Sequence, residues 1–193
     1  MQSIAPYRLI IVCATCLLLS ACAPKGLIGD PQLPYPPASS PEVGQIMHLP
    51  TGVMVSEAEM LDSVVSNRLV YVGETHDNPA SHRLQLTILR ALADRHPGKV
   101  ALGMEMFTPA QNDALRRWVN GELSEKTFLK EVEWFKVWKD DFDYYRDILL
   151  FARERKIPVI GLNADKATVR LVGAGTLDEL PESTRETIAA MDL

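Results

Sequence analysis

The sequence predicts an α/β fold, a parallel sheet with flanking helices, and three observations carry that expectation. Short apolar runs at 68–72 (RLVYV), 99–107 (KVALGMEMF) and 157–161 (IPVIG) read as strands. Helical spacing fills the intervals between them. Each interval is long enough for the crossover that parallel pairing requires.

Composition bounds the rest. The chain has 193 residues, 47% of them hydrophobic, with 20 Lys plus Arg against 25 Asp plus Glu, a net charge of −5. That apolar content excludes wholesale disorder. The acidic balance speaks against nucleic acid as the main partner, because phosphate binding needs a clustered basic face. No run of 18 or more apolar residues occurs, so no transmembrane helix is predicted. The three cysteines, Cys13, Cys16 and Cys22, all lie in the first 22 residues and cannot staple a globular body.

The N-terminus has the form of an export signal. Arg8 is followed by an apolar stretch from Leu9 to Leu19 and then by Leu19-Ser20-Ala21-Cys22. This ending resembles a bacterial lipobox, so residues 1–21 are expected to be a signal peptide and Cys22 the lipidated residue. An ordinary signal peptide is the plainer reading. Ala23 after the cysteine fits an outer-membrane address in a Gram-negative bacterium. Residues 22–50 hold seven of the thirteen prolines and are expected to form an extended tether. Tyr35 and His48 are read as loop residues within it. Residues 51–193 are the expected α/β domain.

Within the domain, Asn78-Pro79 opens a helix through about Arg95, stopped by His96-Pro97-Gly98. Thr108-Pro109 opens another to about Asn120, which Gly121 ends. Ser124 begins a third, to about Phe135, and Tyr144 to Lys156 is a fourth. Residues 164–172 and 182–191 read as shorter helices.

Parallel sheets present functional groups beyond the carboxyl ends of their strands. That rule gathers Glu74, His76, Glu105 and Asn163 at one rim, with His82 in the opening turn of the first helix facing them. Glu105 lies between Met104 and Met106, where a carboxylate needs a cation, a metal, donors or a raised pKa; an edge position reaching water is the alternative. Imidazole and carboxylate together suit a divalent metal, with Glu74, His76 and Glu105 as its candidate ligands, or acid–base work. Equally, His82 could cap its helix and His76 bond a loop. The crossover after the second run concentrates Trp118, Trp134, Phe135, Trp138, Tyr144 and Tyr145. Core packing explains several of these, and flat apolar surface with phenols also suits a planar macrocycle such as haem.

Taken together, Gly73-Glu74-Thr75-His76-Asp77-Asn78 with His82, Ala101 to Phe107 with Gln111, Tyr145 with Phe151-Ala152-Arg153, and Ile157 to Asn163 resemble the ChaN-like haem-binding lipoproteins. That family shares a superfamily with Tiki-type metalloproteases and erythromycin esterases. The resemblance covers about residues 50–180. It implies a membrane-anchored protein that binds haem iron in iron uptake and works with an uptake receptor. It also implies a homodimer holding two haems face to face with tyrosine ligation. The ligand falls on Tyr145, with Tyr144 as its rival, and His76 and His82 complete the candidate haem-binding set. Relatives of this kind continue for roughly a hundred residues more, as a full doubly wound sheet requires. The fold is therefore expected to be incomplete, with the C-terminal part of the family fold missing. A haem carrier is the favoured function, ahead of an enzyme. The alternative is a metal-dependent or acid–base hydrolase using Glu74, His76, His82 and Glu105.

Overall fold

The computed structural model describes residues 41–190. The signal stretch, Cys22 and most of the expected tether lie outside them, as does Met191 at the end of the last expected helix. The chain divides into two compact units, residues 1–62 and 63–193. In the first, strands β1 (Ile46–His48) and β2 (Val53–Val55) pair antiparallel, with Met47 opposite Met54. The tether boundary expected at residue 50 thus falls inside a hairpin. His48, expected in a loop, ends β1 and bonds Thr51 Oγ1 through Nδ1 at 2.8 Å. Helix α1 (Glu57–Val65) follows. Ser56 and Glu59 cap it reciprocally, the Glu59 amide donating to Ser56 Oγ and the Ser56 amide to Glu59 Oε2. The sequence carries this box as Ser-x-x-Glu.

The second unit is α/β, as expected. Helix α2 (Pro79–Arg95) starts where Asn78 Oδ1 accepts the Ala80 amide, and it stops at His96. Strand β3 (Leu102–Met104) pairs parallel with β4 (Val159–Gly161), Leu102 opposite Val159 and Met104 opposite Gly161. The crossover between them holds α3 (Asn112–Asn120), α4 (Glu125–Glu131), α5 (Trp134–Val137) and α6 (Asp143–Arg155). Beyond β4 come α7 (Lys166–Gly173) and α8 (Glu182–Ala189). Ser124 caps α4 by accepting the Thr127 amide, and Gly121 ends α3 at φ +85°. The single helix expected over 124–135 is broken at Glu133, whose φ of +49° no helix accommodates.

Trp118, Trp134, Tyr145, Phe107 and Phe128 form the buried centre with Leu115 and Leu149. Two indoles meet carbonyls there, Trp118 Nε1 at Leu149 O (3.0 Å) and Trp134 Nε1 at Asp140 O (2.7 Å). Gly161 is required by crowding. A Cβ at that position would lie 2.4 Å from Thr108 O. The glycine amide donates to Asn112 Oδ1 at 2.8 Å, tying β4 to α3.

Of the three expected strands, the first, at 68–72, is not formed among the described residues. Residues 68–72 make no strand pairing, and Leu69 and Tyr71 are 68% and 86% exposed. A β-branched run has strand propensity, but a strand exists only with a ladder partner. Here the segment instead lines an open groove.

Candidate functional site

The groove holds about 1100 Å³ and lies between residues 66–74 and 99–106. Its lining includes Val70, Leu89, Val100, Leu102, Ile160 and Leu162. Side-chain bonds from α2 and its C-cap hold the 66–74 wall at both ends. At one end His96 Nε2 donates to Val65 O at 2.8 Å. At the other, Gln85 Nε2 points to Val72 O at 3.5 Å and donates to Glu74 Oε2 at 2.8 Å.

Glu74 organises that second end. Its side chain is only 6% exposed. Oε1 accepts from the Tyr145 hydroxyl at 2.6 Å and from His76 Nδ1 at 2.7 Å. Oε2 accepts from Gln85 and lies 3.3 Å from His82 Nδ1. Burial pushes the Glu74 pKa up, but the bonds from Tyr145, His76 and Gln85 outweigh it and the net shift is downward.

His76 is held by that carboxylate and raised in pKa, first by the Glu74 hydrogen bond and then by the charges of Glu74, Glu105 and Asp140 against a smaller effect of burial. Its side chain is 45% exposed, and its ring stands edge-on to Trp138 with centroids 4.8 Å apart. With Nδ1 committed to Glu74, Nε2 has no hydrogen-bond partner among the described residues. A carboxylate behind an imidazole fixes the ring and its tautomer in this way at metal-binding histidines.

His82 is buried and clamps the loop. Its Nε2 donates to His76 O at 2.9 Å, and its ring stacks on Tyr144 at 5.3 Å. Gln85, one turn along α2, stands 3.3 Å from His82 Nδ1. Tyr145 is fully buried. Burial, then the bond to Glu74, drives its pKa well above the ordinary phenol value. The Trp138 indole beside it acts in the opposite direction, and Trp138 Nε1 is buried without a hydrogen-bond partner among the described residues.

These placements sort the expected site residues. Glu74, His76, His82 and Tyr145 converge, with Tyr144 half-buried against His82. Asn163 lines the same groove. Glu105 lines it too, yet it sits exposed in the turn after β3 rather than buried in a strand. The buried, partnered carboxylate of this site is Glu74. The set Glu74, His76 and Glu105 is not assembled as a chelate. Among the described residues no group of three or more His, Cys, Asp or Glu side chains is placed to hold a metal ion. The Tyr145 phenol donates to Glu74 and is buried where Tyr145 lines the groove. Gln85 went unpredicted, although its spacing from His82 puts both on one face of α2.

A family model described as "Haem-binding uptake, Tiki superfamily, ChaN" matches residues 60–192. No curated protein matches the chain. A solved structure described as cofacial haem binding to ChaN of Campylobacter jejuni is similar at 18% identity with a TM-score of 0.58. The match covers 71% of this chain and 53% of that one, so the chain spans about half the length of the structure it resembles.

Proposed function

The chain belongs to the haem-binding uptake family of the Tiki superfamily that includes ChaN, and on that premise we propose that its groove binds haem for uptake, with His76 as the contact to iron. The observation that carries this is the His76 ring, fixed through Nδ1 by Glu74, unpartnered at Nε2 among the described residues, and lining an apolar-walled groove. The donor set fits the group. Haem asks for apolar walls and an axial nitrogen, oxygen or sulfur ligand, and bound haem would supply the iron. The groove's volume of about 1100 Å³ lies just above the ~300–1,000 Å³ typical of small-molecule sites. His76 is favoured over Tyr145 and Tyr144 because both phenol rings are packed against the core or His82, whereas the imidazole is exposed.

The chain's own residues divide the work. Glu74 holds the Nδ1 proton and orients the imidazole. Tyr145, Gln85 and His82 hold Glu74. Trp138 packs on the ring. The lipobox at Cys22 supports anchoring to the cell envelope, where an acyl chain would keep the carrier at the membrane; Cys22→Ser should abolish palmitate labelling and release the protein from membranes. The haem reading is tested by titrating delipidated protein with haemin and following the Soret band. A saturable shift is expected, lost in His76→Ala and retained in Tyr145→Phe. No saturable shift in the parent refutes haem binding. Loss in Tyr145→Phe with retention in His76→Ala would move the iron contact to the phenol.

A further inference from the structure

Helix α4 and the turn after it carry a cationic, aromatic surface that the groove does not use. Glu133 breaks the helix, and α5 restarts so that Trp134 enters the core at 1% exposure while its neighbour Phe135 is left 66% exposed. Phe135 does not stand alone. With Glu125, Lys126, Leu129 and Lys130 of α4 it lines a hollow of about 350 Å³. Lys126 and Lys130 are exposed and lie one turn apart on α4. The acids of α4 and of the turn that follows are already matched. Glu125 takes two bonds from Arg146 at 3.0 Å, Glu131 one from Arg117 at 2.7 Å, and Glu133 two from Lys136 at 2.9 and 3.1 Å. Lys126 and Lys130 make no ion pair among the described residues. The patch therefore keeps an uncompensated positive charge in a chain whose net charge is −5.

We propose that this surface docks the protein onto an anionic bilayer, with Phe135 entering the headgroup–acyl boundary and Lys126 and Lys130 meeting lipid phosphates. The chemistry is complementary on both counts. An anionic leaflet attracts lysines held near its surface. The lysine stem lies along apolar surface while its ammonium reaches the headgroups. An exposed aromatic ring beside two such lysines has the composition of an interfacial contact. An acidic peptide would satisfy the lysines but give Phe135 no apolar layer to enter. The contact is small, and it suffices because the acyl anchor expected at Cys22 would hold the body beside the bilayer at high effective concentration. Docking there would bring the His76 end of the site close to the membrane, since α5 ends at Trp138, whose ring centroid lies 4.8 Å from that of His76. Nothing in this contact depends on what the groove binds.

The test sediments delipidated protein with phosphatidylcholine vesicles made with and without phosphatidylglycerol. The parent should bind the anionic vesicles and not the neutral ones. Lys126→Gln/Lys130→Gln should weaken that binding by roughly fivefold per lysine, on the order of 25-fold together. Lys166→Gln, at the start of α7, removes another exposed lysine that has no ion pair among the described residues, and it should bind as the parent does. In Phe135→Trp, the added indole emission should shift to the blue on anionic vesicles and be quenched by lipids brominated in their acyl chains. Far-UV circular dichroism checks that the variants fold. No binding of the parent to anionic vesicles, equal binding to both kinds, undiminished binding in the double variant, or an equal loss in Lys166→Gln overturns the docking surface. Binding of polyglutamate without binding of vesicles overturns it too and gives the patch to an acidic protein. Soret titration of the double variant with haemin should match the parent; a changed affinity would place these lysines in ligand binding and overturn their role at the membrane.

Discussion

Replacing Glu74 with glutamine tests whether one buried carboxylate organises the site. The isosteric amide keeps one acceptor oxygen and turns the other into a donor. In the native arrangement Oε1 takes the Tyr145 hydroxyl and His76 Nδ1, and Oε2 takes the Gln85 amide. Whichever way the new amide turns, its NH₂ meets at least one donor. Flipping Gln85 would offer its oxygen to the new NH₂ and restore that one bond, at the cost of the 3.5 Å contact to Val72 O, and would leave the Tyr145 and His76 bonds without their charged acceptor. Hydrogen bonds to charged groups are worth ~1.5–3 kcal/mol each, and removing one partner of a buried charged set costs ~3–5 kcal/mol. Half-exposed His76 recovers part of its loss from water, so the Tyr145 bond dominates and the expected cost is about 3 kcal/mol. In a chain of this size that lowers Tm by about 6–12 °C. Thermal unfolding measures it, and a double-mutant cycle with Tyr145→Phe should show strong non-additivity. A drop below about 2 °C, or additive effects, would mean that Glu74 is not the keystone of this cluster.

Other outcomes follow from the same geometry. The Glu74–His76 pair makes stability depend on pH in two opposite senses. The lowered Glu74 pKa contributes stability that is present above its ordinary value of 4.5 and lost as pH falls through the lower folded value. The raised His76 pKa contributes stability that is fully present below its ordinary value of 6.5 and lost as pH rises through the higher folded value. The pair therefore supports the fold most between pH 4.5 and 6.5. A Tm-against-pH profile should show that feature in the parent and lose it in Glu74→Gln. Gly161→Ala should destabilise by about 1–3 kcal/mol, read by urea unfolding, because the added methyl overlaps the Thr108 backbone and both neighbours are fixed.

Much of this structure is readable in local sequence. The Asn78 cap, the Gly121 stop, the Ser124 cap and the apolar run ending at Gly161 are short-range signals, and each element stands where those signals put it. The convergence of Glu74 and His76 follows from strand-end logic applied to a loop six residues from His82. The misreadings are of another kind. Glu105 between two methionines looks buried, yet the strand ends at Met104 and a turn swings the carboxylate outward. Glu133 adopts left-handed backbone that nothing in its residue type announces. The Ser56–Glu59 box is visible as well, in the stretch of the expected domain before residue 68 where no helix is expected.

The missing strand and the groove are one fact. Paired strands lie ~4.8 Å apart and leave no room between them. Had residues 68–72 joined β3 by a backbone ladder, the space that the proposed ligand needs would be closed. Instead the segment is held at its ends by side chains, His96 onto Val65 and Gln85 onto Val72 and Glu74, and no backbone ladder pairs its middle among the described residues. A site built this way has a specific dynamic signature. Amides of residues 69–72 lack ladder acceptors, so they should exchange with deuterium far faster than those of β3 and β4. Hydrogen exchange followed by mass spectrometry on ligand-free protein measures this. Ligand filling the groove should slow exchange in both walls together. Protection of 69–72 equal to that of β3 in the free protein would show that a ladder forms after all, and the groove could not be the binding site.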